Sequence, residues 1–441
     1  MGIFILMIIK KHIRINMIKF NQKSIGYLSI FFLTIIPLFY LPLANNKVVL
    51  FTPDDFQINL KTSNGASNYS ITQSVTYDVE INLTLTHTSG GPSYDNYYFK
   101  IPRLNERSPN SSLSRDCPPF QESDLLYSKV TGADDPPYLE IDEFNNTYEV
   151  FNSTTILDSN QVTFDQFYRV TLNEVTFGNL LSLDITMDDY DVNDEIFDLY
   201  CNDTEQYYER DNAALITKSN EIAGAFSNPA RKAYAIAQWI DTYVEYNDSM
   251  PAEEKGALWA FNQNPKSGDC SEFSSLMVTL LRIQGIPARK VTGYLLSSSS
   301  NFKPYVGYSR NFTWINNDIN LLGHAWVEYY IPGVGWISCE PQVASLYKTS
   351  SYYRLTENIG AWFTIPAWNG THIEYLDLSE YTAKYTSYSL GYDWRYSLNI
   401  TVIDSNFTPD PDYLGFLINI AIILGVIALV GLVIYIIIKK T

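Results

Sequence analysis

Four cysteines and four histidines are spread through 441 residues, and one of each stands where nucleophilic chemistry could be done. Cys270 lies in Gly268-Asp269-Cys270-Ser271-Glu272-Phe273, directly before an apolar run. Asp269 is placed to cap a helix, and Glu272 three positions on completes a capping-box pattern. The thiol then falls at the first helical position. Unpaired backbone N–H groups and the positive dipole end favour the reactive thiolate there, although the flanking carboxylates oppose it. Such a nucleophile needs a base. His12 belongs to a basic N-terminal stretch, which leaves His87, His324 and His372. His324 opens "HAWVEYYI", followed by the turn "PGVG" and then "WISCEP". With the turn centred on Pro332, Glu328 faces Trp336, Trp326 faces Ser338 and His324 faces Glu340. Directly paired residues sit about 5 Å apart, so the Glu340 carboxylate could hold and orient the imidazole. Strand parity turns Cys339 to the other face, into the core, and Glu328 reads as structural or solvated. Taken singly, a cysteine before an apolar helix is more often core or half of a disulfide, and a lone histidine more often structural. The scarcity of histidine and its pairing with Glu340 are what point to a site.

The elements that must position these residues follow from periodicity. Phe273, Leu276, Met277, Leu280 and Leu281 form the stripe of the cysteine helix, which Gly285 and Pro287 end. An earlier helix carries Ala233, Ile236, Ala237, Ile240 and Val244 on one face, with Pro229 suited to its first turn. "ARKVTGYLL" reads as a strand, and the stretch from Ser297 to Gly323 as a long polar loop. Before residue 206 the pattern is β: Val75, Tyr77, Val79, Ile81 and Leu83 share one parity. Further alternating segments are separated by breaks such as "SGGPSYDN" and "GADDPP". A β-sandwich is expected over 47–205, a mixed catalytic core over 206–345, and a small β appendage or stalk over 346–410. Cys117 and Cys201 could pair in an oxidising compartment.

With these motifs on the page, "GDCSEFSSLMVTLLRIQGIPARKVTGY" followed by "GHAWVEYYIPGVGWISCEP" resembles the transglutaminase-like superfamily of short microbial type, over about a third of the chain. The resemblance implies an α+β, papain-like cysteine protease fold, in which a helix bearing the nucleophile packs on an antiparallel sheet. It implies Cys270 as nucleophile and His324 as general base and acid. Glu340 fills the position the family gives to aspartate, a departure by one methylene. The implied reaction is attack on a carboxamide, with the acyl group passed to an amine or to water. The Cys270 N–H is a candidate oxyanion donor, with Trp259 and Gln263 as further candidates and Trp326 as core or cleft wall. Implied substrates are proteins or peptides, including components of a cell envelope. No cluster has metal-ligand spacing, and no cofactor is implied; the calcium use of animal relatives has no counterpart among these residues.

Charge and the two ends set the location expected. A net charge of −18 excludes nucleic acid as a partner, since phosphate binding needs clustered Lys and Arg. Residues 1–24 are basic and 25–44 apolar, which reads as a signal anchor or signal peptide with its start in the cytoplasm. Residues 414–438 are apolar but for Asn419; as a helix they would extend about 37 Å, enough for a hydrocarbon core of about 30 Å. Lys439 and Lys440 follow, so 439–441 reads as a cytoplasmic tail and 47–410 as extracytoplasmic. Eleven Asn-X-Ser/Thr sequons, at Asn68, Asn82, Asn110, Asn145, Asn152, Asn202, Asn247, Asn311, Asn369, Asn399 and Asn406, agree with that side. The rival reading is a non-catalytic surface structural or binding glycoprotein that keeps the fold without turnover. The intact Cys270 and His324 speak against it.

Overall fold

Alternation decides the first layer. In β1 (Tyr69–His87) every second residue from Val75 to Leu85 is buried while the residues between them are half-buried. That is the signature of a strand with one face on a core. The structure is a computed structural model, and it describes residues 68–88, 97–104, 107, 116–134, 136–153, 156, 160–202, 208–247, 255–264, 266–299, 301–315, 318–360, 367–369, 392–408 and parts of 420–439. Along the chain follow β2 (Tyr97–Pro102), β3 (Gln121–Thr131), β4 (Tyr138–Ile141), β5 (Thr147–Ser153) and β6 (Gln161–Phe177). Then come helices α1 (Ala213–Ala223) and α2 (Pro229–Tyr243), the short β7 (Glu245–Tyr246), α3 (Gly256–Asn262), β8 (Ser267–Gly268) and α4 (Cys270–Ile283). The remainder is β9 (Ala288–Leu295), β10 (Ser309–Ile315), β11 (Asp318–Ile319), β12 (Gly323–Ile331), β13 (Gly335–Cys339), β14 (Arg354–Ile359), β15 (Ala367–Asn369) and β16 (Tyr392–Ser405).

Six strands in the order β11-β10-β16-β1-β6-β3 make one sheet, and β15-β2-β5-β4 make a second. Their inner faces share one apolar core. Phe151 stacks on Phe99 of its own sheet at 4.6 Å and on Phe164 of the other at 5.6 Å. Two segments differ from the sequence expectation. The stretch read as a polar loop supplies β10 and β11, which extend the large sheet. The expected appendage is divided: β14 joins the sheet of the catalytic core, and β16 lies between β10 and β1. Trp394, Tyr396, Leu398, Ile400 and Val402 explain this, since all are buried on one parity and complete the inner face that β1 begins.

The third sheet, β13-β12-β9-β14, is antiparallel. Helix α4 packs against it and is covered on its other side by α1, α2 and α3, so every residue from Glu272 to Arg282 is buried. Full burial of Leu276, Met277, Leu280 and Leu281 contributes about 1.5–3 kcal/mol each. That packing fixes the helix axis, and with it the position of the cysteine at its end. Asn228 caps α2 by accepting from the Arg231 N–H, and Pro229 occupies the first turn.

The apolar segment 25–44 lies outside the described residues, and 414–438 is described only in part. Its described pieces from Ile420 onward are helical, with exposed apolar side chains such as Ile422, Ile423 and Leu424. Among the described residues no helix is long and apolar enough to cross a membrane.

Candidate active site

The start of α4 is built from its own side chains. Asp269 is extended, and its carboxylate accepts from the Ser271 N–H at 2.8 Å, while Glu272 reaches back to the Asp269 N–H at 3.0 Å. Cys270 is the first helical residue. It is partly exposed, whereas Cys117, Cys201 and Cys339 are buried. The backbone N–H of Ala325 hydrogen-bonds the Cys270 sulfur, so the thiol rests against the strand residue that follows His324.

A resting thiolate, however, does not fit these surroundings. Burial pushes the Cys270 thiol up, and the adjacent Asp269 carboxylate pushes it further, with Glu340 adding to the effect. The Ala325 N–H and the charge of Lys290 act in the opposite direction without reversing it. Desolvation and like charge therefore outweigh the helix terminus. The surroundings favour the thiol over the thiolate.

The hairpin that carries His324 has a different register from the one expected. Val327 pairs with Cys339, Glu328 with Ser338 and Tyr330 with Trp336, so the pairs Glu328–Trp336 and Trp326–Ser338 do not form. The turn holds three residues, Pro332 to Val334, with Gly333 at φ +70° and Gly335 at φ +101°. Its centre falls one residue later than Pro332. Each partner moves by two positions, which preserves parity: Cys339 stays on the core side, its sulfur 3.6 Å from that of Met277. His324 and Glu340 become diagonal neighbours, for which backbone separations of about 7–8 Å are usual. The long glutamate arm closes that gap, and His324 Nε2 lies 2.7 Å from Glu340 Oε2.

Both residues are buried. Burial alone would raise the Glu340 carboxyl, but His324 and Arg354 outweigh it and hold the group below its usual range. An ionised carboxylate can only accept, so Nε2 of His324 carries the proton and Nδ1 is left as the basic nitrogen. Arg354, not anticipated from the sequence, places Nη2 2.9 Å from the same Glu340 oxygen. Trp326 is buried beside the imidazole, with ring centres 6.0 Å apart and planes 25° from parallel. It walls the imidazole on one side and is itself buried.

Residues 216–341, from α1 to just past Glu340, match the family model described as the Transglutaminase-like superfamily. This segment is a transglutaminase-like domain. A Bacillus subtilis protein, the uncharacterized YebA, is 37% identical over 100 residues, covering 23% of this chain and 13% of its own length. A Pseudomonas aeruginosa protein-glutamine gamma-glutamyltransferase is 29% identical over 139 residues, covering 30% of this chain and 19% of its own length. The chain thus aligns with under a fifth of either relative. A solved Cytophaga hutchinsonii protein, provisionally described as a cysteine protease, is 17% identical with a TM-score of 0.46, over 77% of this chain and 95% of that one.

Around Cys270, His324 and Glu340, the other sequence candidates separate. Gln263 caps the end of α3, and its amide nitrogen is buried with no hydrogen-bond partner among the described residues. An unpaired buried donor of this kind calls for an acceptor that the described residues do not supply. Trp259, in α3, is half-buried. Cys117 and Cys201 are not joined: Arg107 Nη2 lies 3.8 Å from the first sulfur, and the second donates to the Arg282 carbonyl at 3.6 Å. They sit in separate clusters of the core. Glu328 is structural but far from solvated. Arg107 and Arg289 approach it at 2.7 and 2.8 Å, with all three side chains 1% exposed. Arg289 also lies over the Trp336 ring at 3.6 Å. Arg289 is part of the "GIPARK" stretch that the sequence singled out; Arg107 carried no sequence signal.

Proposed function

We propose that the chain is a thiol-dependent acyltransferase or amide hydrolase acting on carboxamides of proteins or peptides, with Cys270, His324 and Glu340 as its triad. The observation that carries this reading is one geometry: a buried imidazole whose Nε2 is held by an ionised carboxylate, next to a strand residue whose N–H contacts the Cys270 sulfur. His324 Nδ1 takes the thiol proton as Sγ attacks the carbonyl carbon. The tetrahedral oxyanion receives the Cys270 N–H and the free Gln263 amide. The C–N bond then breaks, the His324 proton leaves with the amine, and a thioester remains. Water or a second amine attacks it through the same base and restores the thiol. Of the two outcomes, hydrolysis is the one this reading favours.

The P. aeruginosa relative's name as a protein-glutamine gamma-glutamyltransferase supports a carboxamide substrate here. An extracytoplasmic domain held by an apolar segment at 414–438, with an envelope protein as substrate, is part of the same proposal. Its support is the basic-apolar start, the apolar end before Lys439 and Lys440, and exposed sequons at Asn145, Asn311 and Asn406.

The test uses the detergent-solubilised full chain. Iodoacetamide labelling of each cysteine is followed by mass spectrometry, alongside release of amine from a casein substrate and incorporation of a biotinylated amine. Cys270 should label ahead of the three buried cysteines, and casein turnover should vanish in Cys270→Ala and His324→Ala. Labelling of Cys270 that ignores His324, with no Cys270-dependent turnover, would reject catalysis in favour of a surface protein that keeps the fold.

A further inference from the structure

Arg354 lies beyond the 216–341 segment that matches the family, yet it bonds the carboxylate that holds the base. It opens β14, while Glu340 follows β13, and β9 and β12 lie between those two strands. Its side chain must cross both. Pairing runs from His324 to Gly293 to Thr356 and from Leu295 to Arg354, which puts Arg354, Gly293 and His324 on the same face. Position 293 offers no side chain to block the crossing. A Cβ there would lie 1.9 Å from the Leu355 carbonyl oxygen, so the close approach of β14 demands glycine. Along the way the guanidinium passes 5.7 Å from the centre of the Trp326 ring and donates to Ser338 Oγ at 3.5 Å. It is 5% exposed.

We propose that Arg354 is a positioning residue for the reaction: it fixes Glu340 so that a glutamate serves the diagonal position, and its charge tempers the basicity of His324. This rests on the catalytic reading above. Glu340 Oε2 receives two donors, His324 Nε2 at 2.7 Å and Arg354 Nη2 at 2.9 Å. With the guanidinium present, the Glu340 anion is shared between Arg354 and the imidazole. Without it, a buried carboxylate faces the imidazole alone and binds an extra proton at the pair. The other titratable groups coupled to the pair are Cys270 at the start of α4, itself beside Asp269 and Lys290, and Cys339 at the end of β13. All of them remain when Arg354 is changed.

The experiment follows the rate of Cys270 alkylation by iodoacetamide from pH 4 to 10 in the full chain, and identifies the limb that His324→Ala removes. In Arg354→Met that limb should move to higher pH by about one to three units, the span typical of one nearby charge acting on a buried titrating group, here a like charge removed from beside the imidazolium. In Arg354→Lys it should move less. A limb that stays in place in Arg354→Met overturns the inference and leaves the triad standing. A wild-type profile with no His324-dependent limb overturns the triad and this inference together. Should Arg354→Met not fold, Glu340→Gln and Glu340→Gln/Arg354→Met serve in its place, since neither leaves an orphaned carboxylate. The limb should lie higher in the double variant, where no guanidinium repels the imidazolium, and equal positions overturn the inference.

Discussion

Glu328→Gln should be among the most damaging single changes in the chain, although it keeps the shape of the side chain. Among the described residues Glu328 is the anion paired with two guanidiniums, Arg107 at 2.7 Å and Arg289 at 2.8 Å, all at 1% side-chain exposure. Burial would raise its carboxyl, but the two arginines hold it below the usual range. Removing the charge leaves two buried cations without their counter-ion. Breaking a buried pair in this way costs about 3–5 kcal/mol, against a typical total stability of about 5–15 kcal/mol. For roughly 300 ordered residues, unfolding entropy near 60 °C is about 0.6 kcal/mol/K, so Tm should fall by about 5–8 °C. Circular dichroism during heating and urea titration of the full chain gives both numbers. A companion variant, Arg107→Met/Glu328→Leu/Arg289→Met, removes every charge and should recover most of the loss. A loss below about 1 kcal/mol for Glu328→Gln, or an equal loss for both variants, would refute the orphaned-charge argument.

Three further outcomes are expected. Asp269→Asn keeps a good N-cap but removes a like charge beside Cys270, so iodoacetamide should label Cys270 faster at neutral pH, with Tm nearly unchanged; an unchanged rate would show that burial alone holds the thiol up. Gln263→Ala should lower kcat on casein by about 10²-fold with KM little altered, the usual cost of one oxyanion donor, and an unaltered kcat would remove the amide from the site. Glu328 and Glu340 both have carboxyls held below their usual range, so they contribute stability that is complete above the unfolded value, about 4.3, and is lost as pH falls through their lower folded values. Acid unfolding monitored by circular dichroism should therefore begin below about pH 4, and Glu328→Gln should remove part of that acid step.

What the sequence revealed was local. The parity of Val75, Tyr77, Val79, Ile81 and Leu83 and the cap formed by Asp269 and Glu272 depend on neighbours within a few residues. The hairpin was legible up to its turn: parity and the His324–Glu340 contact follow from the alternation, but the centre does not. Two glycines with positive φ at 333 and 335 added a turn residue that no hydrophobic pattern encodes. Partners brought in from elsewhere could not be read. Arg107 is 221 residues from Glu328, and Arg354 reaches Glu340 across two strands. A buried arginine looks like a solvated one until its anion is known. β16 alternates plainly enough to be a strand, but nothing local says that its neighbour is β1, more than 300 positions earlier.

That last pairing has a consequence for how the protein is made. The transglutaminase-like domain lies between β6 and β16, so it emerges from the ribosome before the large sheet has its middle strand. Until Ser405 has been synthesised, β1 and β10 both present open edges where β16 belongs, the kind of surface that invites pairing with other chains. The transglutaminase-like segment is thus produced ahead of the strand that completes the large sheet, and a chain ended anywhere before β16 leaves that sheet open. Closure of the large sheet therefore waits until translation has passed Ser405.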